Sequence, residues 1–436
     1  MAKGQKNSLK NRLLKAAAGT LGLRVAATCL GFILTVVLAR LLGVSGFGIY
    51  TYAIAWTQLL ILIATLGLDN LIVREVAIYQ TRSEWGLMKG LLRWSNQIAL
   101  IASVSIAIAA IGVAWSVGMA DDNLQMFLAF SVAMILIPIA TLRNLRLAAM
   151  RGLHQIIMGL LPEMILTPLL FILFVGCLYH FLGEGLTAPW VTGMKVLAAT
   201  ITLAIGIRLL QRILPDGVKE AKPEYEIRGW LHSAIPLMFL GSLFVIESRA
   251  DILMLGAMQS AEAAGIYLAV NRGAQLINFV VKAVNTALGP NIASLYAEGK
   301  IDKVQRILNK SSGLVLLVAL PVAIGLIALS HWYLLLFGSE FTRGENALII
   351  LCVGQMVNAA TCSVNMLLNM TKHERYTLIT GGTSAVLNVI LNAVLIPIWG
   401  ITGAALATAS TLVLQRIANA IVIRKKLGIR STAIGL

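Results

Sequence analysis

Apolar runs long enough to cross a bilayer succeed one another along nearly the whole chain, starting with residues 16–42 and 47–68 and ending with 378–397 and 401–423. Twelve are counted, each near the roughly 17–25 residues a helix needs to cross about 30 Å of hydrocarbon. Charged residues make up 12% of the sequence and hydrophobic ones 58%, against about 25% charged in soluble domains. The expected fold is all-α and integral to the membrane.

The formal net charge of +16 would suggest nucleic acid in a soluble protein. Here its placement gives another reading, with no nucleic-acid partner. Lys and Arg gather on alternate connections: Lys3 to Lys15, then Arg74 to Arg93, then Arg143, Arg146 and Arg151, with similar clusters at 208–228, 300–310, 372–375 and 424–430. The opposite connections carry only Arg40 and Arg343. By the positive-inside rule both termini are expected on the cytoplasmic side of a cell membrane, which requires an even number of spans. Cys29, Cys177, Cys352 and Cys362 all fall inside spans, so no disulfide framework is expected.

The one long break, residues 211–230, divides the chain into a basic arm (1–15), a first lobe of six spans (16–210), a linker, a second lobe of six spans (231–423) and a tail (424–436). Each lobe carries a similar passage, Leu42-Gly43 before Gly48-Ile49-Tyr50 and Leu255-Gly256 before Gly265-Ile266-Tyr267. Twelve transmembrane helices in two six-helix lobes related by an in-parallel repeat are therefore expected, with a substrate site at the repeat interface.

The stretch 231–288 carries charges where hydrocarbon disfavours them, at a cost of at least about 2.5–3.5 kcal/mol each. Its first run holds Glu247, Arg249 and Asp251; in its second, Asn271, Gln275, Asn278, Lys282 and Asn285 recur at helical spacing, which puts them in one stripe. A short loop at 259–264 makes the two runs antiparallel, so that Asp251 and Arg272 are expected at one depth. Glu247 and Asp251 are four apart, on one face, where like charges repel unless a cation or proton intervenes. One reading is a structural network of these carboxylates with Arg272 or Lys282; the sharper one is a site for a coupling ion, H⁺ or Na⁺.

Further polar faces occur at Gln355, Asn358, Cys362, Asn365 and Asn369, and at Thr408, Thr411, Gln415 and Asn419, with Arg416 beside the second. Side-chain amides of this kind also serve simply to bind helices together. Arg24, Lys195, Arg249, Arg272, Lys282 and Arg416 outnumber the acids Glu163, Glu247 and Asp251 inside the spans, a balance that suits an anionic cargo such as a phosphate or diphosphate. A phosphate-binding glycine loop is missing, since Ser294 stands where the first glycine would be needed before Gly299-Lys300. The five histidines lie singly without metal-ligand spacing. An enzyme is not expected.

The passages Ala39-Arg40-Leu41-Leu42-Gly43, Gly46-Phe47-Gly48-Ile49-Tyr50, Gly67-Leu68 and Arg74-Glu75-Val76-Ala77, with Gly265-Ile266-Tyr267, Pro290 and Gly403-Ala404-Ala405 in the second half, resemble the oligosaccharide flippases of the multidrug/oligosaccharidyl-lipid/polysaccharide exporter superfamily. The resemblance implies an inner-membrane protein that moves a polyprenyl-diphosphate-linked oligosaccharide to the outer leaflet by alternating access, often coupled to H⁺ or Na⁺. The glycan would be a repeat unit of O-antigen, capsule or exopolysaccharide. Implied partners are membrane lipids and the polysaccharide polymerase and glycosyltransferases of the same pathway.

On that reading the diphosphate falls to Arg24, Arg272 and Lys282, helped by Arg249 and Arg416, and the glycan to Asn271, Gln275, Asn278 and Asn285. Glu247 and Asp251 serve ion coupling, and Arg74 with Glu75 a cytoplasmic gate. The alternatives are a multidrug/cation antiporter of the same superfamily, which would want an acidic interior, and a membrane glycan polymerase or ligase.

Overall fold

A computed structural model describes the backbone of residues 2–361, 364–371 and 373–429; within these, the side chains of 2–18, 20–21, 184, 235–248, 286–287 and 290 lie outside the described residues. The described residues contain helices and no strand. Seven of the helices are long and apolar enough to cross a membrane. Two are double length, Gly22–Thr65 with 44 residues and Glu374–Leu427 with 54. At 1.5 Å per residue each would overshoot the hydrocarbon if straight. Both break at a glycine whose backbone leaves the helical region, Gly43 (φ 65°) and Gly400 (φ 53°), where a side chain would be strained.

The chain forms two compact units, Met1–Leu42 with Ala53–Ser242, and Gly43–Tyr52 with Leu243–Leu436. The first holds most of α1 (Ala2–Thr65), then α2 (Leu68–Arg82), α3 (Trp85–Ser116), α4 (Met119–Asp122), α5 (Leu124–Met134), α6 (Leu136–Gly152), α7 (Ile156–Leu161), α8 (Thr167–Leu182), α9 (Ala188–Ile213) and α10 (Asp216–Glu220). Leu71 and Val76 of α2, Met88 and Leu91 of α3 and Ala149 of α6 are fully buried together in its core, joined by Trp230. Trp230 donates from Nε1 to the Tyr79 hydroxyl (3.0 Å) and packs on Trp94.

The linker docks on this unit. The Glu224 amide donates to the Gly86 carbonyl (3.0 Å), and Lys89 Nζ donates to the carbonyls of Lys219 and Ala221. A Cβ on Gly90 would stand 1.7 Å from the Glu224 carbonyl oxygen, so the approach depends on glycine at that position.

Charge patterning places Arg143 and Arg146 on a connection, and the structure corrects this. Both lie within α6, which runs on to Gly152. Arg146, 4% exposed, donates from Nη2 to Glu163 at 2.7 Å, and Arg143 Nε stands 3.9 Å from the same carboxylate. Glu163 projects from a π turn, Pro162–Leu166, between α7 and α8. Counting basic residues as loop markers fails here because a half-buried acid offsets part of the charge of the arginines.

The second unit holds the remainder of α11 (Ile227–Met258), α12 (Ala261–Ala297), α13 (Ile301–Ala328), α14 (Ser330–Leu335), α15 (Glu345–Ala360), α16 (Val364–Met370) and α17 (Glu374–Leu427). Ser260 turns α11 into α12: its side chain accepts from the Ala263 amide, the usual way an N-cap satisfies a free helix donor. The segment Gly43–Tyr52 is built into this unit, with Phe47 against Phe341. A Cβ on Gly265 would stand 2.8 Å from the Gly48 Cα, and one on Gly48 2.3 Å from the Ala261 carbonyl oxygen. The glycines of the two repeated passages thus meet backbone to backbone. Cys29, Cys177 and Cys352 are free thiols; Cys362 lies outside the described residues.

Candidate functional site

In the second unit, Asp251 is 6% exposed and held by neutral groups from three helical passes. Tyr267 of α12 and Thr408 of α17 donate their hydroxyls to Oδ2 at 2.7 and 2.6 Å, and Asn392 of α17 donates Nδ2 to Oδ1 at 2.7 Å. The second Nδ2 proton of Asn392 goes to Asn388 Oδ1 (3.0 Å). Asn392 Oδ1 is buried and makes no hydrogen bond. Among the described residues Asp251 takes part in no ion pair.

A carboxylate so enclosed keeps its charge only at considerable cost, because neutral dipoles replace water incompletely. A proton or a bound cation removes that cost. The oxygens of Asp251, Asn388, Thr408 and Tyr267 are of the kind hard cations prefer, whereas Asn392 faces Asp251 with an N–H donor. Rotating the Asn392 amide would aim its unpaired Oδ1 at such an ion.

Asp251 and Arg272 are not brought together as an ion pair. The α12 residue that reaches Asp251 is Tyr267, and Arg272, five positions on, points about 140° away around the helix. Arg272 is half-buried, with the positive charge of Arg249 and the hydroxyls of Tyr50 and Tyr333 as its electrostatic neighbours. Arg272 Nε is buried and makes no hydrogen bond. The Arg249 guanidinium of α11 thus lies within electrostatic reach of the Arg272 guanidinium of α12, a repulsion that an anion would relieve.

The rest of the α12 stripe divides between roles. Gln275 is exposed and donates to Asn271 (3.4 Å). Asn278 accepts from Asn358 of α15 (3.3 Å), a helix-to-helix bond. Lys282 is exposed, and Asn285 and Arg416 are half-buried. Arg24 is exposed on α1 of the first unit. Arg74 and Glu75 pair with each other at 2.7 Å on α2. Glu247 lies outside the described residues.

Sequence reasoning did not name Asn388 or Asn392, and it marked Tyr267 only as part of a repeated passage, not as a site residue. A signal was present: Thr380, Ser384, Asn388 and Asn392 recur every four residues. The structure zips that ladder to α17's second pass, with Thr380 donating to Asn419 (2.7 Å) and Asn419 to Asn365 (2.7 Å).

Comparison with known proteins bears on this arrangement. The sequence profile of the polysaccharide biosynthesis protein family matches residues 13–296, and that of MatE matches residues 236–394. The chain is similar to the probable flippase AglR of Haloferax volcanii, 23% identical over 93% of this chain and 82% of that protein. The probable low-salt glycan biosynthesis flippase Agl15 of the same organism is 23% identical over 57% of this chain and 52% of its own length. Among solved structures, an inward-facing multidrug resistance MATE family transporter of the MOP superfamily superposes with TM-score 0.76 at 14% identity, covering 92% of this chain and 94% of that one. The lipid II flippase MurJ in an inward closed conformation gives 0.70 at 13% identity, with 92% and 87% covered.

Proposed function

From the premise that this chain belongs to the polysaccharide biosynthesis protein family, we propose that it is a flippase carrying a polyprenyl-diphosphate-linked oligosaccharide from the cytoplasmic to the outer leaflet. It is a transporter rather than an enzyme, as the names of its relatives AglR and Agl15 suggest. Twelve spans, with both termini cytoplasmic, alternate access to a cargo site, and H⁺ or Na⁺ at Asp251 couples the movement.

The observation that carries this reading is the buried Arg272 Nε without an acceptor, in an apolar helix and within electrostatic reach of a second guanidinium, that of Arg249. A diphosphate supplies the missing acceptor and the missing negative charge. A cationic drug would meet repulsion there, which disfavours a multidrug antiporter. Moving about two negative charges outward is also favoured by an inside-negative potential, by roughly 4.6 kcal/mol per 100 mV. The neutral shell of Asp251 supports the coupling role, because a carboxylate with no fixed cation can take and release a mobile one.

The test is flipping of a fluorescent polyprenyl-diphosphate oligosaccharide in vesicles containing the purified protein. Arg272→Ala is expected to lower the rate at least about tenfold, the loss of one charge-assisted contact. Unchanged flipping by that variant at equal protein incorporation would refute the assignment.

A further inference from the structure

A cavity of about 630 Å³ lies wholly within the first unit between α3, α6, α9 and the docked linker. Its two ends differ in chemistry. Toward the linker it is lined by Lys89, Arg93, Arg146 and Lys219, and toward the interior of the bundle by Leu100, Leu142 and Leu203. The linker-side group is basic without a compensating acid among the lining residues. Lys89 is engaged with linker carbonyls and Lys219 with Asp216 at 2.8 Å, whereas Arg93 is exposed and takes part in no ion pair among the described residues.

Arg146 adds an independent indication. It shares Glu163 with Arg143, so the triad carries two guanidiniums for one carboxylate, and Arg143 Nε, Arg146 Nε and Arg146 Nη1 are buried with no hydrogen-bond partner. These donors are closed to the cavity, but the net positive charge of the triad beside it favours an anion within.

The apolar part identifies what carries that anion. From Lys89 to Leu100 is about 16 Å along α3 at 1.5 Å per residue, near half of the roughly 30 Å hydrocarbon core. Leu100 and Ile207, which line the cavity, are 43% and 41% exposed on the unit's surface, so the cavity has an apolar edge through which a chain could enter from the side. A basic end, leading past Asn96 and Gln97 to an apolar slot about one leaflet deep, matches one molecule of the surrounding bilayer. Basic pockets between transmembrane helices bind acidic head groups in this way.

We propose that this cavity binds an anionic phospholipid, its phosphate at Arg93 in the field of the Arg146 charge and one acyl chain along Leu100, Leu142 and Leu203. The site depends on neither Asp251 nor Arg272 and is independent of the transport reading.

The full-length protein, delipidated and then offered phosphatidylglycerol or phosphatidylcholine of the same chain length, is examined by native mass spectrometry. One phosphatidylglycerol is expected to be retained in preference to phosphatidylcholine. Arg93→Ala should lower that occupancy about fivefold, the effect of one basic group near an acidic membrane lipid, and Leu142→Trp should remove it by filling the slot. If the tryptophan variant does not fold, the Arg93 variant decides alone.

Equal retention of the two lipids, or undiminished phosphatidylglycerol on the Arg93 variant, overturns the proposal. So does full displacement by inorganic phosphate, which would make the site one for free anions. Displacement by an equimolar isoprenoid diphosphate also overturns it, giving the cavity to the cargo.

Discussion

Asn392 reaches Asp251 across 2.7 Å from a position 141 residues later in the chain, and with both amide protons spent its own Oδ1 is left without a donor. The contact joins an acid that stands out as a charge in an apolar run to an amide whose four-residue repeat is visible but names no partner.

Replacing Asp251 by Asn keeps shape and removes charge. Flipping in vesicles should then lose its dependence on an imposed Na⁺ or H⁺ gradient. Thermal stability should stay within about 2 kcal/mol of wild type, since the change also removes a buried charge. A rate that still follows the gradient would separate Asp251 from coupling.

Asn392→Leu takes away the donor to Oδ1 and leaves that oxygen buried among apolar atoms. A loss of about 1–3 kcal/mol is expected, read as a lower melting temperature in detergent. Combining it with Asp251→Asn should recover part of the loss, as coupled neighbours do.

Gly48 and Gly265 are expected to tolerate no side chain. Gly48→Ala would place a methyl 2.3 Å from the Ala261 carbonyl oxygen, and overpacking of this kind costs about 1–3 kcal/mol. Gly31, where a Cβ would meet nothing within 4 Å, is the control. There alanine should be neutral or stabilising by up to about 1 kcal/mol in a helix interior. Equal effects at both sites would contradict the packing argument.

Arg146→Gln should cost about 3 kcal/mol or more by stranding Glu163, which is 13% exposed, without its closest cation. The double variant with Glu163→Gln should be milder than Arg146→Gln alone. A double-mutant cycle on denaturation midpoints measures the difference.

Apolar runs set the all-helical membrane class, because hydrocarbon thickness fixes helix length. Asp251 was legible as a charge in a forbidden place, but its partners were not. Spacing reports which residues share a helix face, whereas Asn388 and Asn392 meet Asp251 only through the folding of α17 back on the hairpin. The same limit explains Arg272: loop length implies an equal depth for it and Asp251, and helical rotation then turns it off the face from which Tyr267 reaches Asp251. Arg146 escaped for a different reason, since a basic residue near a span end counts as a loop marker until its half-buried partner acid, Glu163, is known. The repeated Gly48 and Gly265 were visible as a motif, while their meeting was not.

The ten residues from Gly43 to Tyr52 belong by sequence to the first half and by packing to the second unit. If the present chain arose by duplication, the copies are no longer interchangeable cassettes. A gene split at the linker would yield a C-terminal fragment without the strip that covers Gly256 and Gly265, and only a partner fragment bringing that strip would complete it.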